Sequence, residues 1–309
     1  MTTIVFALLP VFLLIAFGWL LQRYEFPGRT FWPAAERVTY YVLFPALLVK
    51  ELAHANLAGL SPIPLFLALA FSMAVLSGAL LALRPWLAAS WLQISGATFT
   101  SIFQGALSFN AYVGLAASLA LYGDRGIAIF ALVLAIAIPL VNVLVIAVHA
   151  RHGEGGPRRP MAQMALIVQN PLILACVAGI VLNLGDLDLP PGIGPALDIL
   201  GKASVALGLL TVGAALDPQE AYGGGNLLGF IAILKLIVFP ALMAAACLLL
   251  DVQNPVRTIL VLWAALPIAS SAYIMARQLG GDSTLLAAAI TATTILAALT
   301  LPLVLSLVA

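Results

Sequence analysis

The sequence predicts an all-α membrane protein of ten transmembrane helices, and three observations lead there. Charged residues make up 8% of the 309 positions and apolar ones 63%. A soluble domain needs roughly a quarter of its residues charged to cover its surface. The apolar residues also fall into blocks of about 20, the helix length that crosses a ~30 Å hydrocarbon core. Finally, the joints between blocks are basic on one side of the membrane and almost free of Lys and Arg on the other.

Taken in order, the spans cover 4–22, 37–54, 63–83, 93–122, 126–148, 161–183, 195–216, 226–250, 257–279 and 284–307. Span 1 lacks a basic leading segment and a small-residue cleavage site, so Ile4–Leu21 reads as a retained span rather than a signal peptide. The most polar stretch, 149–160, divides the chain into a first half, 1–148, and a second half, 161–309, with five spans each. That joint is short for a linker, so the halves are expected to pack as one body.

With the N-terminus outside, the cytoplasmic joints hold Arg23, Arg29, Arg37, Arg84, Arg151, Arg158, Arg159 and Arg277, while the outer joints hold only Arg125 and Arg257. Eight against two places both termini outside and the central basic loop inside. Five spans per half invert the second half relative to the first. Two internal matches fit such a repeat: Pro10 to Gly18 recurs as Pro171 to Gly179 at an offset of 161, and Leu121-Tyr-Gly-Asp124 recurs as Leu279-Gly-Gly-Asp282 at 158.

Carriers built this way bind their cargo beside broken helices, where free N–H groups and unwound backbone line a cavity. Spans 4 and 9 are the interrupted pair. Span 9 carries Pro267, which removes a backbone donor and disfavours helix at Leu266, followed by Ile268, Ser270, Ser271 and Tyr273. Span 4 carries Gln104, Gly105, Ser108, Phe109, Asn110, Tyr112 and Gly114, with Gly105, Gly114 and Pro267 as hinge positions. At the 158 offset Phe109 matches Pro267 and Asn110 matches Ile268. An amide in mid-membrane is costly unless paired, so Asn110 needs a partner. A bend at Pro267, a helix-to-helix bond from Asn110 and back-bonding by Ser270 and Ser271 are the purely structural alternatives.

Of three lysines within spans, Lys235 lies deepest, with no acid near it in sequence, and reads as an anion attractor or as the partner of a helix C-terminus. Lys50, beside Glu51, and Lys202 are explained equally well by snorkelling or ordinary ion pairs. Asp124 and Asp282 read as caps of the helices that follow them. Cys176 and Cys247 have no metal-ligand spacing and read as buried thiols. No catalytic, metal or cofactor motif stands out, and no basic run points to nucleic acid. The chain lacks a nucleotide-binding loop, an H-E-x-x-H segment, a paired-aspartate protease pattern and a channel filter. A secondary transporter of a small organic anion is the reading that remains foremost, with a channel, an intramembrane enzyme and a sodium-coupled symporter as alternatives.

These residues resemble the auxin efflux carrier family in its compact bacterial branch, over the whole chain. The resemblance rests on Phe109-Asn110-Ala-Tyr-Val-Gly114-Leu115, on Ala265-Leu-Pro267 with Ala276-Arg-Gln-Leu-Gly280-Gly-Asp282, on Lys235-Leu-Ile-Val-Phe-Pro240, and on Tyr41-Val-Leu-Phe-Pro45-Ala-Leu-Leu. It implies a ten-helix inverted repeat shared with bile-acid sodium symporter-like proteins. Helices 1, 2, 6 and 7 would form a scaffold, through which the chain would pair as a homodimer. Helices 3–5 and 8–10 would form a mobile transport domain, with helices 4 and 9 crossing at the substrate site. It further implies an elevator mechanism, malonate- or malate-like substrates and a bacterial inner membrane. Two departures stand out: the family often has Pro where this chain has Phe109 and again at Ala116. The first break is therefore expected to be less sharp than the second.

Overall fold

A computed structural model describes residues 2–28, 30–55, 62–89, 94–153, 169–221 and 225–308. All regular structure among them is helical. Six helices are long and apolar enough to cross a membrane, and Pro171–Leu184 and Val256–Ala265 are shorter apolar helices. One of the six runs 57 residues, from Gly96 to His152. At ~1.5 Å per residue it would far exceed one bilayer core. It is in fact cut at 108–110 and again at Gly123. Gly123 has φ 59° and ψ −146°, a conformation that only glycine adopts without strain.

The residues segregate into two units, each drawing on both halves of the sequence. The first comprises Met1–Leu60, Ala111–Ile138 and Ala165–Leu216. It contains α1 (Thr2–Arg23), α2 (Phe31–Val38), α3 (Phe44–Ala53), the first part of α6 (Ala111–His152), α7 (Pro171–Leu184) and α8 (Ile193–Ala214). Small residues let these helices approach closely, as packing in lipid requires. A Cβ on Gly18 would overlap the Leu210 carbonyl, and one on Gly213 the Ile15 carbonyl, so α1 and α8 meet backbone to backbone. A Cβ on Gly179 would lie 2.7 Å from Leu52 Cβ, which brings α7 against α3 in the same way. Asn183 then donates to the carbonyls of Ala53 and Ala55 at 3.0 and 2.9 Å, tying the end of α7 to the end of α3. Lys50 and Lys202 are both ion-paired: Lys50 bridges Glu51 at 3.0 Å and Asp198 at 2.9 Å, and Lys202 shares Asp198.

The second unit comprises Ser61–Asn110, Pro139–Met164 and Asp217–Ala309. Its helices are α4 (Pro62–Ala89), α5 (Gly96–Leu107), the end of α6, the short α9 (Pro218–Ala221), α10 (Gly225–Ile233), α11 (Phe239–Leu249), α12 (Val256–Ala265), α13 (Ser271–Leu279) and α14 (Ser283–Ser306). Asp282 caps α14 as expected, its Oδ1 accepting from the Leu285 N–H at 3.0 Å. It also fastens the turn to the start of α5: Oδ2 accepts from Thr98 Oγ1 at 3.3 Å and its carbonyl from Ser101 Oγ at 3.0 Å.

Among the described residues each unit contains one five-residue π turn, Thr39–Leu43 before α3 and Leu234–Val238 before α11. Each precedes a Phe-Pro pair, Phe44-Pro45 and Phe239-Pro240. A proline inside a helix lacks an N–H and collides with the carbonyl four residues back. Widening the turn relieves that collision, and the N–H of the intervening Phe bonds five residues back, to Thr39 and Leu234.

One span boundary shifts: the second helical stretch begins at Phe31 rather than 37. Breaks fall within spans 4 and 9, the two read as interrupted. For span 6, residues 161–168 lie outside the described residues, as do 154–160 of the central loop and Arg29, Arg158 and Arg159 from the charge count. The described part of that span starts at α7, where Pro171 stands at the first helical position and Asn170 Oδ1 accepts from the Leu172 N–H at 2.9 Å.

Candidate functional site

The site is built where two helices of the second unit stop short. Helix α5 begins on a Ser95 cap, whose Oγ accepts from the Thr98 N–H at 3.1 Å. It ends at Ser108, which turns to φ −66°, ψ 148°. Residues 108–110 lie outside any helix. Helix α12 ends at Leu266, with φ −60° and ψ 146°, the conformation that Pro267 imposes on its predecessor. The chain stays out of helix until α13, with Ser270 as its N-cap. The first break spans residues 108–110 and the second 266–270.

The two breaks satisfy each other. The Asn110 N–H donates to the Pro267 carbonyl at 2.8 Å, and the Ala269 N–H donates to Ser108 Oγ at 3.4 Å. The Ile268 N–H donates to Thr293 Oγ1 of α14 at 3.2 Å. Unwound backbone persists at membrane depth only when its polar groups find such partners. Ser108, Phe109, Asn110, Pro267 and Ile268 are all buried, Ser270 is half-buried and Ser271 exposed. Gly105 sits one turn before the first break. A methyl there would lie 3.1 Å from Ile231 and 3.3 Å from Ile268, so the second break packs on the bare face of α5.

Lys235 is brought to the same neighbourhood. It lies in the π turn before α11, fully buried, with Nζ 4.9 Å from the Phe239 ring centre and 6.0 Å from that of Trp263. Trp263 packs edge-on to Phe239, ring centres 5.3 Å apart, and at a tilt against Phe109, in the first break, at 5.2 Å. Among the described residues neither Lys235 Nζ nor Trp263 Nε1 has a hydrogen-bond partner. Tyr112 and Gly114 follow in α6 and belong to the first unit, where the Tyr112 ring packs edge-on to Phe44 at 5.0 Å and occupies the notch at Gly208.

Sequence reasoning missed two participants. Trp263 passed as one more apolar residue of span 9; its signal was an indole N–H in mid-span. The other is His149, which looked like part of a basic loop. It is buried, and its Nε2 lies 3.0 Å from Gln104 Oε1, while Gln104 Nε2 donates to the Ala272 carbonyl at 3.0 Å. An amide that donates through nitrogen leaves its oxygen to accept, so the His149 Nε2 carries the proton. The relay ties α6 through α5 to the first turn of α13. Gly281 leaves room for it, since a Cβ there would lie 2.8 Å from His149 Cε1. Gln104→Leu strands the buried His149 N–H and removes one bond from the Ala272 carbonyl, and a loss of about 1–3 kcal/mol is expected. Thermal unfolding in detergent should show this, with partial recovery when His149→Phe is added. A neutral Gln104→Leu would contradict the relay.

Among the described residues no group of His, Cys, Asp and Glu could hold a metal ion. Cys176 and Cys247 are free and buried.

Buried helix breaks beside a mid-span cation are the parts of a membrane carrier, and comparison with known proteins agrees. Residues 3–305 match the model of a family described as Membrane transport protein. The chain belongs to that family, the auxin efflux carrier family, and is a multi-pass membrane transporter. It is also similar to a protein of Methanothermobacter thermautotrophicus (strain ATCC 29096 / DSM 1053 / JCM 10044 / NBRC 100330 / Delta H) described as "Uncharacterized transporter". The two are 26% identical over 299 residues, 96% of this chain and 95% of the relative.

Proposed function

We propose that this transporter moves a small organic anion, a mono- or dicarboxylate of the malonate or malate kind, by an elevator-type alternating-access mechanism. The observation that carries the reading is the pair of helix breaks in the second unit, bonded through Asn110 and Pro267 and adjoined by Lys235. The carboxylate sits at these breaks. Asn110 and the Ser108, Ser270 and Ser271 hydroxyls hold it, the helix-end dipoles favour its charge, and Lys235 adds positive potential. The ten-helix inverted repeat supplies the architecture, and the segregation into two units supports a division of labour. The first unit, with α1, α2, α3, α7 and α8, is the scaffold and homodimer surface, and the second is the moving part. The protein resides in a bacterial inner membrane with both termini outside.

The test is uptake of radiolabelled malonate and of its monomethyl ester into proteoliposomes, flux of either counting as transport. Saturable flux that falls at least about tenfold in Asn110→Ala and in Pro267→Ala is the expected result, equivalent to ~1.4 kcal/mol or more. Wild-type flux in both variants would refute the site. Unitary currents in a planar bilayer would replace the carrier by a channel, and strict sodium dependence would make it a symporter.

A further inference from the structure

We propose that Lys235 and Trp263 together hold a single negative charge, so that the site selects monoanions over dianions. The cargo role of that anion rests on the transport reading above; its binding does not.

An ammonium and an indole N–H are donors only. Both are fully buried here, and neither meets an acceptor among the described residues. The faces of Phe239 and Trp263 recover only part of the cost of burying an ammonium in so apolar a place. What the pair lacks is an acceptor that brings negative charge. Both donors lie in one aromatic cluster, so one small carboxylate answers both needs.

Charge counting then sets the valence. Among the described residues of the second unit, Lys235 is the one buried Asp, Glu, Lys or Arg. One monoanion brings the buried charge to zero. A dianion leaves one negative charge uncompensated in the same interior, which is the costly arrangement. The setting fits an exchangeable ligand. Lys235 stands in a π turn, a backbone irregularity frequent at functional sites, and Phe109, which packs on Trp263, belongs to the break rather than to a helix. Phe109, Phe239 and Trp263 also favour an apolar body behind the carboxylate over a hydrated one.

The probes are monomethyl malonate and malonate, nearly equal in size and one charge apart at about pH 7.5. The full chain is purified with Trp263 as its sole tryptophan, the other four replaced by Phe, and its emission is followed on titration. A saturable emission change at least about tenfold tighter for the monoester is expected, and Lys235→Met should abolish it. Trp263→Phe, read by ligand-induced thermal shift in the otherwise unmodified protein, should weaken monoester binding several-fold. Equal or tighter binding of malonate, no response to the monoester, or unchanged affinity in either variant would overturn the proposal. Transport is judged separately: normal flux in Asn110→Ala sinks the carrier site and leaves the emission result standing, while unchanged binding in Lys235→Met sinks this inference and leaves flux untouched.

Discussion

A Gly213→Ala variant is expected to lose most of its folded yield, with upwards of about 3 kcal/mol of stability gone. Overpacking a tight interior typically costs 1–3 kcal/mol because side chains can shift aside. Here the added carbon meets the Ile15 carbonyl and the Trp19 backbone nitrogen, and main chain has nowhere to go. Gly18→Ala, which meets the Leu210 carbonyl from the opposite helix, should behave alike. In lipid there is little hydrophobic gain from helix association, so the close approach itself supplies much of the attraction between α1 and α8. Gly78→Ala is the control: nothing lies within 4 Å of a Cβ there, and alanine favours helix by about 1 kcal/mol. Fluorescence-detected size exclusion after stepwise heating would rank the three, and a wild-type melting curve for Gly213→Ala would show the α1–α8 contact to be looser than described.

Lys235→Met is expected to do the opposite in the absence of ligand, raising the melting temperature. Methionine keeps the unbranched shape, places its sulfur among the rings of Phe239 and Trp263, and removes the burden of an ammonium with no acceptor. Replacing buried charge by well-fitting apolar groups is commonly neutral or stabilising by 1–4 kcal/mol, and about that much is expected here. A structural lysine would give the reverse sign, since its removal would break bonds on which the fold depends. A group kept at the expense of stability is the pattern of functional sites. Thermal unfolding without added anions decides the matter, and a marked drop would assign Lys235 to the fold.

The membrane class was legible from composition and block length alone because both are summed over the whole chain. The breaks were legible for a local reason: Pro267 dictates its own φ and constrains Leu266, so a single letter announces the end of α12. The first break has no such letter. It was found through its offset from Pro267 and through the polar cluster Ser108-Phe109-Asn110, and its partner bond from Asn110 to Pro267 appears only in three dimensions. The close contacts at Gly18, Gly179 and Gly213 were unreadable, because glycine looks the same in sequence whether it faces a backbone or, like Gly78, open space. His149 was obscured by its neighbours, since a histidine next to Arg151 and His152 looks like loop until helix α6 is seen to run through it.

The burial of Lys235 also bears on what drives the cycle. Moving one elementary charge through the whole membrane potential exchanges about 2.3 kcal/mol per 100 mV. In the elevator cycle proposed above, the ammonium of the moving unit and one monoanion would cancel, so the cargo would add no voltage dependence to the loaded step. The same unit returning empty would carry one positive charge through the field. An exchanger that is loaded in both directions would then run electroneutrally, whereas net one-way flux would speed up or slow down with the polarity of the membrane.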